Sequence, residues 1–291
     1  MDAQIMLIGS SGRVGQMVGA AWRVSNQPWR NAPFQTRAGD TVFSASQLVW
    51  DMNNGAGPLL RWIESYGQLS SLVVLAGTTP ATGLDMDTNI HIATQYLDAA
   101  LAASVPRVLL ASSSAVYGPG DGAPLSETAA CVPVNAYGIS KRKMEQVAEP
   151  YKDAGLDVCC MRIGNVAGAD AMLLNAASAT SKKPIRIDRF SNGKGPLRSY
   201  IGPNTLGDCL GQLATYTGSL PFLLNVAAPV PVHMECLAEA ASLPWAYRAA
   251  PPAAMQNISL DCRALCHLVD FPKHATEPEE ISLDWQELQK Q

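Results

Sequence analysis

The chain is short of charged residues. Only 16% of its 291 residues are Asp, Glu, Lys or Arg, against about 25% in an average soluble protein. The apolar fraction is 47%, so the low charge does not indicate a disordered chain. The formal net charge is −4, which excludes the overall positive field with which proteins bind nucleic acid or anionic membranes.

Long apolar runs are also missing. None reaches the roughly 18 residues that a membrane-spanning helix needs, and Met1 leads within a few residues into a strand pattern, so we expect no signal peptide. The seven cysteines are irregularly spaced, and Cys159 and Cys160 are adjacent within an apolar run. We therefore expect reduced cysteines in the protein core and a cytoplasmic location.

A metal site is not indicated either. The four histidines have no metal-like spacing with cysteines or carboxylates. The tightest group is Cys262, Cys266 and His267, and no second Cys/His pair accompanies it. We expect no bound metal.

Short apolar runs alternate with segments of helical periodicity through the first half of the chain. The runs are 5–8, 34–36, 48–50, 72–75, 105–110 and 156–163, and the helical segments are 14–24, 59–66, 89–103 and 137–151. This alternation predicts an α/β fold, a Rossmann-type doubly wound parallel sheet. After residue 168 the pattern loosens, with strands at 184–187, 197–201 and 222–226 and helices at 204–216, 234–241 and around Trp285. We predict a dinucleotide-binding domain over 1–168 and a smaller C-terminal substrate lobe over 169–291, with some of the chain returning to the first domain.

A glycine-rich turn follows the first strand and opens the first helix. Its residues are Gly9, Ser10, Ser11, Gly12, Arg13, Val14 and Gly15. Glycines at this spacing permit a tight turn, close approach of a pyrophosphate to the helix N-terminus, and close packing of helix on strand. The turn predicts a dinucleotide site, NAD or NADP.

The acidic residue that binds a ribose hydroxyl in NAD-dependent proteins is expected about 20 residues further on. The chain has Arg37 there, and the nearest carboxylate, Asp40, comes three residues later. A guanidinium suits a 2′-phosphate, and Arg13 could assist it. This favours NADP slightly over NAD; the alternative is that both arginines are ordinary surface residues.

Tyr137 and Lys141 are four residues apart on a predicted helix and therefore share one face. An ammonium near a phenol lowers the phenol pKa and lets it move a proton at neutral pH. Ser113, at the end of the preceding strand, can hydrogen-bond the same substrate oxygen. A bare Tyr-x-x-x-Lys pair is usually incidental, but the glycine turn and the serine cluster favour catalysis here.

These motifs resemble those of the extended short-chain dehydrogenase/reductase family, in its NAD(P)-dependent sugar epimerase/dehydratase branch. The matching segments are the turn at 9–15, Ser-Ser-Ser-Ala-Val-Tyr-Gly at 112–118, Tyr-Gly-Ile-Ser-Lys at 137–141, Arg-Ile-Gly-Asn-Val-Ala-Gly at 162–168, and Leu-Arg-Ser-Tyr-Ile at 197–201. The resemblance implies Ser113, Tyr137 and Lys141 as catalytic residues, with Ser112 and Ser114 as alternatives to Ser113.

The resemblance also implies the binding residues. Asp51 and Met52 would contact the adenine side of the cofactor, and Ala76 and Gly77 would lie beneath it. Tyr137 and Lys141 would also bind the cofactor, where Lys141 can hold the nicotinamide ribose. For the substrate it implies Ser113, Ser114, Asn165 and Arg198, the last pairing with a nucleotide-sugar diphosphate. A homodimer is the family's usual assembly.

The chain departs from the family pattern in places. Ser114 and Ala115 stand where dehydratases carry an acidic pair, and Ala115 where some epimerase–reductases carry a cysteine, so both of those mechanisms are disfavoured. Leu75 replaces a common histidine. Gly-Pro-Asn-Thr at 202–205 replaces the family's His-Val-x-Asp.

The sequence thus predicts an NAD(P)-dependent epimerase or reductase that acts on a sugar hydroxyl or ketone, with a nucleotide sugar as its small-molecule partner. The alternative is a redox-silent, NAD(P)-binding regulatory protein on the same fold. Such proteins usually lose the tyrosine or the lysine, and this chain keeps both.

Overall fold

The computed structural model of the protein describes residues 4–37 and 44–289. The predicted alternation of strands and helices is present in the first part of the chain. The elements there are β1 (Ile5–Ile8), α1 (Arg13–Val24), β2 (Phe34–Thr36), β3 (Gln47–Val49), α2 (Gly57–Tyr66), β4 (Ser71–Val74), α3 (Thr88–Ala102), β5 (Arg107–Ser113), α4 (Ala136–Ala148), α5 (Pro150–Asp153), β6 (Asp157–Ile163) and β7 (Asn165–Val166).

The second part of the chain contains shorter strands. Its elements are α6 (Ala171–Leu174), β8 (Ile185–Arg189), β9 (Leu197–Arg198), β10 (Tyr200–Ile201), α7 (Pro203–Thr215), β11 (Leu223–Val226), β12 (Val232–His233), α8 (Met234–Ala240), β13 (Trp245–Ala249), β14 (Asn257–Ile258), α9 (Arg263–Cys266) and α10 (Pro278–Leu288).

Seven parallel strands form the central sheet, in the order β11-β6-β5-β4-β1-β2-β3. The strand order reverses between β1 and β4, and ligands of such sheets bind at the carboxyl ends of the strands beside that point. The Rossmann-type, doubly wound fold predicted from the sequence is confirmed.

Successive side chains of each buried strand point to opposite faces of the sheet. Ile5 and Leu7 pack in the core that contains α1 and α7, whereas Met6 and Ile8 pack in the core that contains α2 and α3. This double burial explains why the strands are uninterrupted apolar runs. Cys159 and Cys160 follow the same rule, one in each core.

The expectation that the cysteines are core residues is wrong in part. Cys236 and Cys266 are exposed, because each lies on the outer side of a short helix that packs by its other side chains. All seven cysteines are free. Within the part of the chain that the structure describes, no helix is long and apolar enough to cross a membrane.

Residues after 168 contribute to two regions. β11 completes the central sheet beside β6, and α7 buries Leu206 and Leu210 in the core beneath α1. The remainder forms small sheets and a third core around Ile187, Tyr200 and Trp285.

The segment predicted as one strand over 197–201 is two strands. β9 pairs with β12 and β14, and β10 pairs with β7. Ser199 makes the transition, because its carbonyl accepts from the Asn165 backbone N–H while its hydroxyl accepts from the Leu260 N–H.

Candidate active site

The glycine turn closes tightly on the end of β4. Gly9 has φ +82°, and a Cβ there would lie 2.4 Å from the Ala76 nitrogen. A Cβ on Gly15 would lie 2.1 Å from the Gly9 carbonyl oxygen, whereas one on Gly12 would meet that oxygen only at 3.3 Å. Packing therefore requires glycine at 9 and 15. No side chain caps the N-terminus of α1, so its N–H groups are available to a ligand.

A first cavity of about 470 Å³ lies at the carboxyl ends of β1, β4 and β5; we call it the turn cavity. It brings together nine of the predicted site residues: Gly12, Arg13, Val14, Gly15, Gly77, Ser113, Tyr137, Lys141 and Asn165. The other predicted cofactor residues do not line it: Gly9, Ser11, Arg37, Asp51, Met52 and Ala76.

Gln35, in β2, lies near the position where the ribose-binding carboxylate of NAD-dependent proteins is expected. Gln35 is 3% exposed; its Oε1 accepts from the Gly9 N–H at 3.1 Å, and its Nε2 donates to the Trp50 carbonyl. The Gln35 side chain therefore holds the glycine turn in place. Arg37 is exposed at the edge of the described chain, and Asp40 lies outside the described residues.

Asp51 caps a short turn, where its Oδ1 accepts from the Asn53 N–H at 2.9 Å. Asp51 and Arg37 both act on the buried Tyr96 hydroxyl. Burial raises the pKa of Tyr96 to about 12; Arg37 opposes this shift and Asp51 reinforces it. Arg37 and Asp51, both predicted to bind the adenosine end of the cofactor, therefore lie near the Tyr96 hydroxyl. Met52 is partly buried in the same core.

Lys141 is a buried cation on the inner face of α4. Its side chain is 3% exposed, and Nζ donates to the Ala111 carbonyl at 2.8 Å. Nζ also lies 6.0 Å from the centroid of the Tyr137 ring. Burial lowers the pKa of Lys141 from 10.5 to about 8, against the opposing effects of Cys160 and Glu145.

Tyr137 and Ser113 both line the turn cavity, and the Ser113 hydroxyl is close enough to act on the tyrosine hydroxyl. Burial raises the pKa of Tyr137, and the Ser113 hydroxyl partly offsets this. The lowered phenol pKa expected from the neighbouring lysine is therefore not found in the protein alone. The reason is geometric: desolvation of the phenol exceeds the attraction of an ammonium that is itself buried and bound to a carbonyl.

The three consecutive serines have separate partners. The Ser112 hydroxyl donates to Glu145 Oε1 at 2.7 Å and is buried. The Ser113 hydroxyl oxygen accepts from the Ala115 N–H at 3.2 Å. Ser114 lines a second cavity and not the first. Ser113 is the serine that reaches Tyr137.

The second cavity, of about 660 Å³, adjoins the first; we call it the lobe cavity. Ser113 and Asn165 line both cavities, and Ser114 and Arg198 line only the lobe cavity. Its remaining walls are largely apolar and include Val134, Met255 and Leu260.

Arg198 is held by backbone carbonyls. Nη1 donates to the Leu197 and Gln256 carbonyls at 2.7 Å each, and Nη2 donates to the Met255 carbonyl at 2.8 Å. The Nε–H and one Nη2–H are left without an acceptor among the described residues. Burial lowers the pKa of Arg198, and no carboxylate of the described chain forms an ion pair with it.

Sequence reasoning missed several residues of the turn cavity. Thr78, 3% exposed, lines it beside Gly77, with its backbone held at both ends by the Asn89 side chain. Asp170 lines it as well, and its Oδ2 accepts from the Tyr200 hydroxyl at 3.0 Å. Burial raises the pKa of Asp170. Their positions directly after β4 and β7 were the available signal.

The sequence profile described as "NAD dependent epimerase/dehydratase family" matches residues 69–205. A UDP-glucose 4-epimerase of Azospirillum brasilense is 43% identical over 75 residues, which is 25% of this chain and 22% of that protein. The match thus spans about a fifth of the length of this curated relative.

Two solved structures have the same fold over nearly their whole length. The UDP-Glc/GlcNAc 4-epimerase of Campylobacter jejuni superposes with a TM-score of 0.78 and 16% identity, covering 99% of both chains. The UDP-glucose 4-epimerase of Bifidobacterium longum, solved with NAD+ and UDP, superposes with a TM-score of 0.73 and 15% identity, covering 98% of both chains. At these identities the likeness shows the fold alone. The matched segment 69–205 contains Ser113, Tyr137, Lys141 and Asn165, so this part of the chain is similar to the NAD dependent epimerase/dehydratase family.

Proposed function

We propose that this protein is an NAD(P)-dependent epimerase or reductase that acts on a hydroxyl or ketone of a nucleotide sugar. The observation that carries the proposal is the junction of the two cavities. Ser113 and Asn165 line both, and Tyr137 and Lys141 face the same space from α4. A cofactor in the turn cavity and a substrate in the lobe cavity would meet there.

The turn cavity has the features that a dinucleotide needs. The uncapped N-terminus of α1 offers N–H groups to a pyrophosphate, and Gly12 leaves room for its approach. Gly77 provides space beneath the site, since a Cβ there would lie 3.1 Å from Lys141 Nζ. A bound nicotinamide would accept or return the hydride of the substrate carbon.

Tyr137 is the proposed acid and base. Its hydroxyl would take the proton of a sugar hydroxyl during oxidation and return it during reduction. The Ser113 hydroxyl would bond the same substrate oxygen, and a protonated Lys141 would favour the phenolate. Because the protein alone raises the pKa of Tyr137, the positive charge of an oxidised nicotinamide is needed to lower it.

The lobe cavity favours an anionic substrate. Arg198 presents two N–H groups without acceptors on a half-buried cation that forms no ion pair with a carboxylate of the described residues, and such an edge matches two oxygens of a phosphate. A nucleotide sugar supplies both the diphosphate and the sugar oxygen. The names of the relatives make UDP-glucose and UDP-galactose the first candidates.

The proposal includes the division of the chain into a dinucleotide domain over 1–168 and a substrate lobe over 169–291. Arg198 belongs to the second part and Tyr137 to the first. The free cysteines fit a cytoplasmic location, which we also propose.

The test is to incubate the purified protein with UDP-glucose, with UDP-galactose and with a UDP-4-ketohexose, each with NAD+ and with NADPH, and to follow the sugars by NMR and the reduced cofactor by absorbance. Interconversion of the two hexoses without net cofactor consumption would support an epimerase. Net consumption of NADPH with a keto-sugar substrate would support a reductase. Binding of the dinucleotide without turnover of any nucleotide sugar would favour the redox-silent alternative.

For the cofactor, Arg37 supports a preference for NADP over NAD. We expect Arg37→Ala to weaken NADP(H) binding by about tenfold, the scale of a lost charge-assisted bond to phosphate, with little effect on NAD(H). Fluorescence titration of both reduced cofactors measures this difference. Equal losses for the two cofactors would contradict the preference.

A further inference from the structure

A third cavity, of about 320 Å³, lies on the other side of α1; we call it the α1–β2 cavity. Gly15 and Gly19 stand four residues apart on one face of α1 and leave space where side chains would otherwise pack on the sheet. Leu7, Trp22 and Phe34 form an apolar lining. Gly15 also borders the turn cavity, but the residues of the catalytic junction do not line the α1–β2 cavity.

The charged residues that line this cavity are of one sign. Residues 4–37 contain four arginines and no carboxylate. Two of them, Arg23 and Arg30, line the cavity and are exposed. Neither forms an ion pair within the described parts of the chain. Arg23 reaches back over the gap at Gly19, with Nη1 3.5 Å from where a Cβ would be.

We propose that the α1–β2 cavity binds a small amphipathic anion, a single carboxylate or phosphate on an apolar body. The apolar body would contact Leu7, Trp22 and Phe34, and Arg23 and Arg30 would bind the head group. The argument rests on charge complementarity: an apolar space bordered by two guanidiniums with no carboxylate partner matches this class of ligand. The site is separate from the proposed function and does not depend on it.

Octanoate and octyl phosphate are the probes, titrated by calorimetry with 1-octanol as the uncharged control. We expect at least one anion to bind with 1-octanol tenfold weaker or more, since a charge-assisted hydrogen bond is lost. The binding persists at saturating NADPH. Absence of binding by both anions, equal binding of 1-octanol, or competitive displacement by NADPH would overturn the proposal; displacement would put the probe in the turn cavity.

Gly19→Leu fills the cavity directly. A Cβ at position 19 meets only Arg23 and Leu7, at 3.5 and 3.6 Å, which is ordinary contact, so the helix accepts the change. We expect at least tenfold weaker binding of the anion, with an unchanged or higher thermal midpoint. Ala102→Leu, at an exposed position of α3, is the matched control and keeps the wild-type affinity.

Arg23→Gln/Arg30→Gln provides a second, independent variant that leaves the cavity open. It should weaken the anion about tenfold and leave 1-octanol binding unchanged. Wild-type affinity for the anion in both the Gly19→Leu and the double arginine variant would place the bound anion elsewhere and refute the site.

Discussion

Lys141 combines two features that oppose each other. Its ammonium donates to the Ala111 carbonyl, yet the side chain is almost fully buried, and burial lowers its pKa to about 8. A cation held this way is costly in the free protein and becomes favourable when an anionic ligand enters the same cavity. We therefore infer that binding of a dinucleotide offsets the free-energy cost of burying the Lys141 ammonium.

The free energy of unfolding should depend on pH because of Lys141. Unfolded lysine titrates near 10.5 and the folded residue at about 8, so between these values the unfolded chain binds more protons. Burial of Lys141 therefore lowers the free energy of unfolding by its full amount at and below pH 8, and this loss disappears as the pH rises toward 10.5. The full change is about 3 kcal/mol at roughly 1.4 kcal/mol per pKa unit.

Urea denaturation of wild type and Lys141→Met at intervals from pH 7 to pH 10 measures this change. The difference in unfolding free energy between the two proteins should increase steadily in favour of wild type above pH 8. Two curves that stay parallel across this range would contradict the assigned pKa.

At the scale of elements, α4 is joined to β5 and β6 by one buried carboxylate. Glu145 accepts from Arg162 Nε and Nη2 at 2.9 and 2.8 Å, and from the Ser112 hydroxyl. Arg162 also lies over the Tyr117 ring, 4.7 Å from its centroid. Because Ser112 precedes Ser113 and Glu145 follows Lys141 by one helical turn, this network fixes the register between β5, which carries Ser113, and α4, which carries Lys141.

Arg162→Leu should destabilise the protein by about 3–5 kcal/mol, because it leaves the carboxylate buried and short of partners. The double variant Glu145→Leu/Arg162→Leu should lose less than Arg162→Leu alone, since the uncompensated charge is removed with its partner. Chemical denaturation of wild type, Arg162→Leu, Glu145→Leu and the double variant measures both effects. A double variant as unstable as the sum of the two single changes would show that the pair is not coupled.

The same elements show what a sequence can predict and where it stops. The strands β1, β4 and β6 are buried on both faces, so their uninterrupted apolar runs predicted them from the sequence. The glycine turn predicted the close approach of α1 to the sheet. Ser113, Tyr137 and Lys141 were predicted because local spacing is enough to place them. Ser199, which divides the strand predicted over 197–201, depends on Asn165 and Leu260, and no local pattern identifies such distant partners. Asp170 and Thr78 each follow a strand, but only the fold shows that both line the turn cavity.

The pKa of Tyr137 illustrates the same limit. The four-residue spacing correctly put Lys141 near the ring, but the direction of the shift depends on how deeply the hydroxyl is buried. Burial is a property of the whole fold. The sequence could therefore predict the pair and not its titration.

For the whole molecule, the family resemblance predicts a homodimer. The outer surfaces of α3 and α4 expose apolar side chains at Leu101, Ile139 and Val147, which suits an interface of helices. We expect a dimer by light scattering after size exclusion, and we expect Ile139→Glu/Val147→Glu to shift the protein to monomers without loss of the far-ultraviolet helix signal. A wild-type monomer at micromolar concentration would contradict this assembly.

The central claim is that Tyr137 moves the proton of a sugar hydroxyl whose carbon exchanges a hydride with a nicotinamide in the turn cavity. The direct measurement is the near-ultraviolet absorbance of reduced nicotinamide in a single turnover with NAD+ and a nucleotide sugar. Wild type should form the reduced ring, and Tyr137→Phe should form it at least about 100-fold more slowly while binding NAD+ with unchanged affinity. Equal rates in the two proteins would contradict the account.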